Sequence, residues 1–184
     1  MTRITRETPP GVPSTRTAAD VPSVRHSAAV FAGCALAVAT ADWASKALAT
    51  SLLGQREIPV FGEVVRLALV LNDQSAFGVS LGPYTWHINI ALTALALALS
   101  AILCPALTRI DVWAPIMLGL IAGAAAGNLV SMLSSPHGVV DFVAVSRGDG
   151  RELVFNLADV AAVLGLILIV RTGTRVIGAI RRGG

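Results

Sequence analysis

Two stretches of this chain carry no Asp, Glu, Lys or Arg: Gln74 to Thr108 and Val112 to Val140. Each is apolar and long enough for a helix of about 20 residues, the length that crosses a bilayer. No other feature narrows the fold as much. In hydrocarbon, backbone polar groups must be satisfied internally, and helices do this within one segment. Composition agrees. Charged residues make up 14% of the 184, against roughly 25% in soluble domains, and hydrophobic residues make up 54%.

Four spans are expected. They run roughly from Ser27 to Leu48, Trp86 to Leu107, Trp113 to Leu133 and Leu153 to Val170. The first is interrupted near its end by Asp42 and Lys46, and the last carries Asp159 near its start. A cleavable signal peptide is the competing reading of the first. The leader before it is long and no small-residue cleavage site follows it, which favours a retained span. Residues 1–26, rich in Thr, Pro, Arg and Ser, read as a disordered leader. Residues 27–171 form the membrane domain, and residues 172–184 a basic tail.

Arginine placement gives the orientation. Arg3, Arg6, Arg16, Arg25, Arg109, Arg171, Arg175, Arg181 and Arg182 fall on one side. Arg56, Arg66, Arg147 and Arg151 fall on the other, balanced by Glu57, Glu63, Asp73, Asp149 and Glu152. Both termini are therefore expected in the cytoplasm. The net charge of +3 belongs to this asymmetry. No basic stripe is interleaved with aromatics, so nucleic acid is not an expected partner. His26, His87 and His137 are scattered, and Cys34 and Cys104 read as small apolar residues. Neither a metal nor a cofactor is expected, and the chain is expected to be a monomer.

Between spans one and two, "REIPVFGEVVRLALVLNDQSAFGVSLG" is rich in Val, Leu and Phe, with Gly and Pro as punctuation. Those are strand and turn signals. The fold class is an all-α membrane protein of four transmembrane helices with a small β-rich extracytoplasmic platform. Between spans three and four, Pro136 ends the helix and "SRGDGRE" is a hydrophilic turn. The short apolar piece between them, containing Asp141, is placed at the outer interface.

That topology sets Asp141 and Asp159 at one depth. Taken singly, each has a plainer reading: Asp159 complementing a helix dipole, Asp141 a solvated loop acid. Together, two carboxylates at close range cannot both ionise easily. One keeps a proton, and the pair can activate a water. Ionisable residues at membrane depth are functional candidates by default. Asn156 is three positions before Asp159 and shares its helix face. Asn128 lies inside span three, and Asn72 in the outer segment. Asp42 and Lys46 are an i,i+4 pair, read as a local salt bridge with Lys46 snorkelling outward. Gly123 and Gly127 have the spacing of close helix packing. A transporter or proton relay would place acids at mid-membrane depth in several spans. Here they cluster at one end.

Five blocks, in order, resemble the signal peptidase II family of lipoprotein signal peptidases: "ADWASKAL", "NDQSAFGVS", "GAAAGNL", "GVVDF" and "FNLAD". The resemblance covers roughly residues 36–170. It implies an aspartic endopeptidase of the bacterial cytoplasmic membrane that cuts a prolipoprotein just before its diacylglyceryl-modified cysteine. Asp141 and Asp159 match the catalytic pair. Asn72, Asn128 and Asn156 match positions lining the site, and Asp42 and Lys46 match supporting positions. Two departures make this a divergent member. Ser131 and Met132 stand where the family has an Asp-Arg pair that braces the site, and Gln74 stands in place of a glycine. Arg147 and Arg151 are candidates for a replacement cation by location only. A relative that binds precursors or lipid without cutting is the alternative.

Overall fold

The computed structural model describes residues 23–62, 64–72, 82–135, 138–148 and 150–183. The leader up to residue 22, and Gln74 with its neighbours, lie outside the described residues. Helix α1 spans Val24–Leu53, and Ser23 caps it by accepting from the His26 N–H at 3.2 Å. Strands β1 (Ile58–Phe61) and β2 (Val65–Asn72) follow. Helix α2 (Thr85–Thr108) comes next, entered through a 3-10 turn at Gly82–Tyr84, and then α3 (Ala114–Ser134). Strands β3 (Val139–Ser146) and β4 (Glu152–Phe155) lead into α4 (Leu157–Gly183).

Among the described residues, four helices are long and apolar enough to cross a membrane: Val24–Leu53, Gly82–Thr108, Ala114–Ser134 and Leu157–Thr174. Helix α4 runs on beyond that span to Gly183, through the residues expected as a tail. Helix α3 packs against each of the other three. Its small residues explain why. A Cβ on Gly119, Gly123 or Gly127 would meet α1 atoms at 2.8, 2.6 and 2.5 Å respectively. The glycine stripe lets the two backbones approach closely, as the sequence spacing suggested, and it extends one step further to Gly119. Two small apolar clusters fill the interior. Cys104, Ala114, Met117 and Leu118 form one; Ala124, Ala158 and Ala161 form the other.

The four strands form one antiparallel sheet in the order β1-β2-β3-β4. The structure adds one point and corrects another here. The segment holding Asp141 is an interior strand of the platform, pairing with β2 on one side and β4 on the other. Span four does not begin at Leu153. Residues 152–155 pair with β3, and the helix starts at Leu157. The physical reason is shared. Val139, Val140, Phe142, Val143, Val154 and Phe155 are strand formers, and the sheet gives their backbone groups partners. The platform is thus built from two segments far apart in the chain, one after α1 and one before α4.

Gly138 fixes how β3 enters. Its φ is +127°, and a Cβ there would meet the Asn72 backbone at 2.7 Å. Only glycine fits such a crossing without strain. The site residues converge where this edge of the sheet meets the ends of α1, α3 and α4.

Candidate active site

Asp141 is on β3, paired with Val70 of β2. Asn72 lies two residues beyond Val70, on the same face, and pairs with Val139. That diagonal brings its side chain to the carboxylate: Asn72 Nδ2 donates to Asp141 Oδ2 at 2.9 Å. Asn156 Nδ2 donates to the other oxygen, Oδ1, at 2.7 Å. Asp141 is buried.

Asp159 is in the first turn of α4, and Asn156 is the residue just before that helix. The two cap each other. Asp159 N–H donates to Asn156 Oδ1 at 3.1 Å, and Asn156 N–H donates to Asp159 Oδ2 at 3.0 Å. This is a capping box, which satisfies two orphan donors and fixes where the helix starts. Asn128 Nδ2 of α3 donates to the second oxygen, Oδ1, at 3.2 Å. One residue, Asn156, therefore touches both carboxylates. It bonds to Asp141 through its side chain and to Asp159 through its backbone N–H.

Asp42 and Lys46 extend the network into α1. Lys46 Nζ donates to Asp42 Oδ2 at 2.7 Å, to Asn128 Oδ1 at 2.8 Å and to Ser131 Oγ at 3.2 Å. Asn128 Oδ1 also accepts from Asn156 Nδ2 at 3.2 Å. The salt bridge is as expected, but Lys46 does not snorkel outward. Its side chain is only 7% exposed, because three oxygens inside the bundle meet the three donors of the ammonium. Asp42 does more than pair with it. Its Oδ1 accepts the Ala158 N–H of α4 at 3.0 Å, so α1 supplies a second cap to that helix. This role was not legible in the sequence, since it joins positions far apart along the chain.

The structure thus brings Asn72, Asn128, Asn156, Asp42, Lys46, Asp141 and Asp159 into one connected cluster. Arg147 and Arg151 are elsewhere. The Arg147 N–H donates to the Arg151 carbonyl, closing the turn beyond the far end of β3. At about 3.3 Å per residue, roughly 20 Å of strand separates that turn from Asp141. Met132 is buried and Ser131 half-buried.

The electrostatics of Asp141 follow from its surroundings. Burial pushes its pKa above the usual carboxylate range. The Asn72 amide opposes this, the Asp159 charge adds to it, and Asn156 and Lys46 oppose it again. Among the described residues, no group of three or more His, Cys, Asp or Glu is placed to hold a metal ion. The arrangement is two linked carboxylates whose described hydrogen bonds all come from N–H donors. Asn156 joins the two groups, and the charge of Asp159 raises the pKa of Asp141.

A family model described as signal peptidase (SPase) II matches residues 34–174. The chain belongs to the signal peptidase II family. It is similar to the lipoprotein signal peptidase of Mycobacterium avium (strain 104), with 34% identity over 142 residues, 74% of each chain. It is also similar to the lipoprotein signal peptidase of Mycobacterium leprae (strain Br4923), with 32% identity over 167 residues, covering 83% of this chain and 79% of that one. A solved bacterial membrane enzyme, determined by the in meso method at 2.3 Å, superposes with a TM-score of 0.65 at 19% identity. That superposition covers 83% of this chain and 89% of the other. It speaks to the fold alone. As a signal peptidase II member with four apolar helices, the chain is a multi-pass peptidase of the bacterial inner membrane.

Proposed function

We propose that this chain is an aspartic endopeptidase that removes signal peptides from lipid-modified prolipoproteins, cutting just before the diacylglyceryl-bearing cysteine. The observation that carries this reading is the bridge made by Asn156, whose side chain holds Asp141 and whose backbone N–H holds Asp159. The substrate class rests on the relatives, which are named lipoprotein signal peptidases. The platform faces the extracytoplasmic side and both termini the cytoplasm, in line with the arginine distribution. The chain acts as a monomer.

Asp141, the more buried of the two carboxylates, holds the shared proton and donates it toward the scissile carbonyl oxygen. Asp159, half-buried at the start of α4, accepts a proton from the attacking water. The tetrahedral adduct collapses as Asp159 passes its proton to the leaving amine and Asp141 regains a proton from the adduct hydroxyl, restoring both groups. Asn72, Asn128 and Asn156 hold the carboxylates in register. Asp42 and Lys46 fix the start of α4 and the Asn128 amide.

The test is cleavage of a lipid-modified precursor by the full chain in liposomes. Asp141→Asn and Asp159→Asn are each expected to lower turnover by about 10²–10⁴-fold, the worth of a positioned acid or base. Near-normal turnover by either variant ends the reading. Ser131 and Met132, in place of the family's Asp-Arg pair, motivate the alternative of a non-cleaving relative. Precursor binding by the unaltered chain without product would favour it.

A further inference from the structure

Ser131 occupies the place of an acid, yet it is not idle. Its hydroxyl donates to the Gly127 carbonyl at 3.1 Å, one turn back along α3. That leaves its oxygen lone pairs to accept from Lys46 at 3.2 Å. The ammonium then has an acceptor in each of three directions: a carboxylate on α1, and an amide oxygen and a hydroxyl on α3.

An ammonium only donates. The atom of Asn128 that faces it is therefore Oδ1, and Nδ2 is turned toward Asp159 Oδ1. Two donors fix the polarity of the Asn128 side chain, and so the donor Asp159 receives: Lys46, at the shorter distance of 2.8 Å, and Asn156 Nδ2 at 3.2 Å. Asp42 anchors Lys46 from α1; Ser131 is its further anchor on α3 beside Asn128.

We infer that Ser131 is a positioning residue for cleavage. It holds the Lys46 ammonium against Asn128 and thereby directs the Asn128 Nδ2 donor onto Asp159, in a chain that lacks the Asp-Arg pair at 131 and 132. This assignment rests on the proposed reading of Asp141 and Asp159 as the reacting pair. Ser131 acts through Lys46 and Asn128. A hydroxyl suits the task where a carboxylate would not. With Met132 apolar and buried, a second acid beside Lys46 would lack a cation of its own and would compete with Asn128 for the ammonium.

The experiment measures kcat, KM and thermal unfolding of the full chain with a lipidated precursor peptide. Ser131→Ala is expected to lower kcat about tenfold, the scale of one hydrogen bond to a charged group. KM is expected to stay near its original value, while the unfolding midpoint falls slightly because the buried Lys46 ammonium loses one acceptor. Ser131→Thr keeps the hydroxyl and its i−4 bond and is expected to restore most of the lost kcat. Ser131→Cys, similar in size but a weak acceptor, is expected to behave as Ser131→Ala and serves if the alanine variant does not fold. Unchanged kcat in Ser131→Ala or Ser131→Cys overturns the assignment, as does a loss that threonine fails to restore or one confined to KM. Asp141→Asn and Asp159→Asn run in parallel separate the two levels. If both are inactive while Ser131→Ala is normal, only the role of Ser131 falls. If either aspartate variant remains active, the reading beneath it falls as well.

Discussion

At the scale of single residues, Asp141 is the most informative side chain. It is buried, and that burial, together with the Asp159 charge, holds its proton to a higher pH than an unfolded chain would. The sign for stability follows. The folded state binds the proton where the unfolded state, with an ordinary value of about 3.9, has lost it. Stability therefore falls as pH rises from that value through the folded pKa, and then levels off. Asp141→Asn is expected to flatten this slope in denaturation curves taken across pH. On the proposed mechanism, catalysis follows the same proton. If Asp141 acts as the acid, activity is lost as pH rises through its folded pKa. Asn72 donates to Asp141 and favours its ionised form, so Asn72→Ala is expected to raise that pKa further. The alkaline limb of the pH–activity profile should move upward. A downward move would contradict the assignment of the proton to Asp141.

At the scale of elements, the start of α4 matters most. It receives two caps from different parts of the chain: Asn156 on the Asp159 N–H, and Asp42 on the Ala158 N–H. The first was partly visible as an Asn and an Asp three positions apart. The second depends on how α1 docks, which local spacing does not encode. That docking is governed by Gly127, where a Cβ would fall 2.5 Å from Asp42 Oδ2. Gly127→Ala is expected to push α1 away from α3 and to cost about 1–3 kcal/mol of stability, typical of overpacking. Thermal unfolding would read this, and turnover should fall with it because Asp42 and Lys46 move. An alanine variant with unchanged stability and turnover would mean that the α1–α3 contact is more yielding than its geometry implies.

At the scale of the whole molecule, polar groups gather at the two ends of an apolar bundle. One end holds the carboxylate pair. The other holds Asp111, fully buried in the loop between α2 and α3. Its Oδ2 accepts from Arg171 Nη1 at 3.2 Å and from Thr172 Oγ1 at 3.0 Å. Its Oδ1 accepts from the Trp113 N–H at 3.1 Å, and the Arg171 guanidinium lies 5.6 Å from the centre of the Trp113 ring. Helix α3, with 21 residues, sets the ends about 30 Å apart. Asp111 thus ties α4 to the α2–α3 loop far from the site. Asp111→Ala leaves the Thr172 hydroxyl and the Trp113 N–H without this acceptor, while the part-exposed Arg171 can turn to water, and is expected to cost about 1–3 kcal/mol of stability. The kcat of the folded fraction should be unchanged. A kcat loss at full stability would instead mean that the two ends are coupled.

The sequence by itself determined the four spans and the strand character of the outer segment. Long charge-free runs and β-branched clusters are local patterns, and solvent physics reads them directly. It also singled out the seven polar residues of the cluster, because charges and amides in apolar surroundings are conspicuous. Only the tertiary structure decided that residues 139–155 complete the sheet. Apolar runs of four to eight residues suit strand and helix equally until a partner strand is present. Only the fold decided, too, that Lys46 turns inward, since its acceptors Asn128 and Ser131 lie on another helix. The same holds for Ser131. In the sequence it is a missing acid; in the bundle it is an acceptor for the ammonium that orients Asn128 toward Asp159.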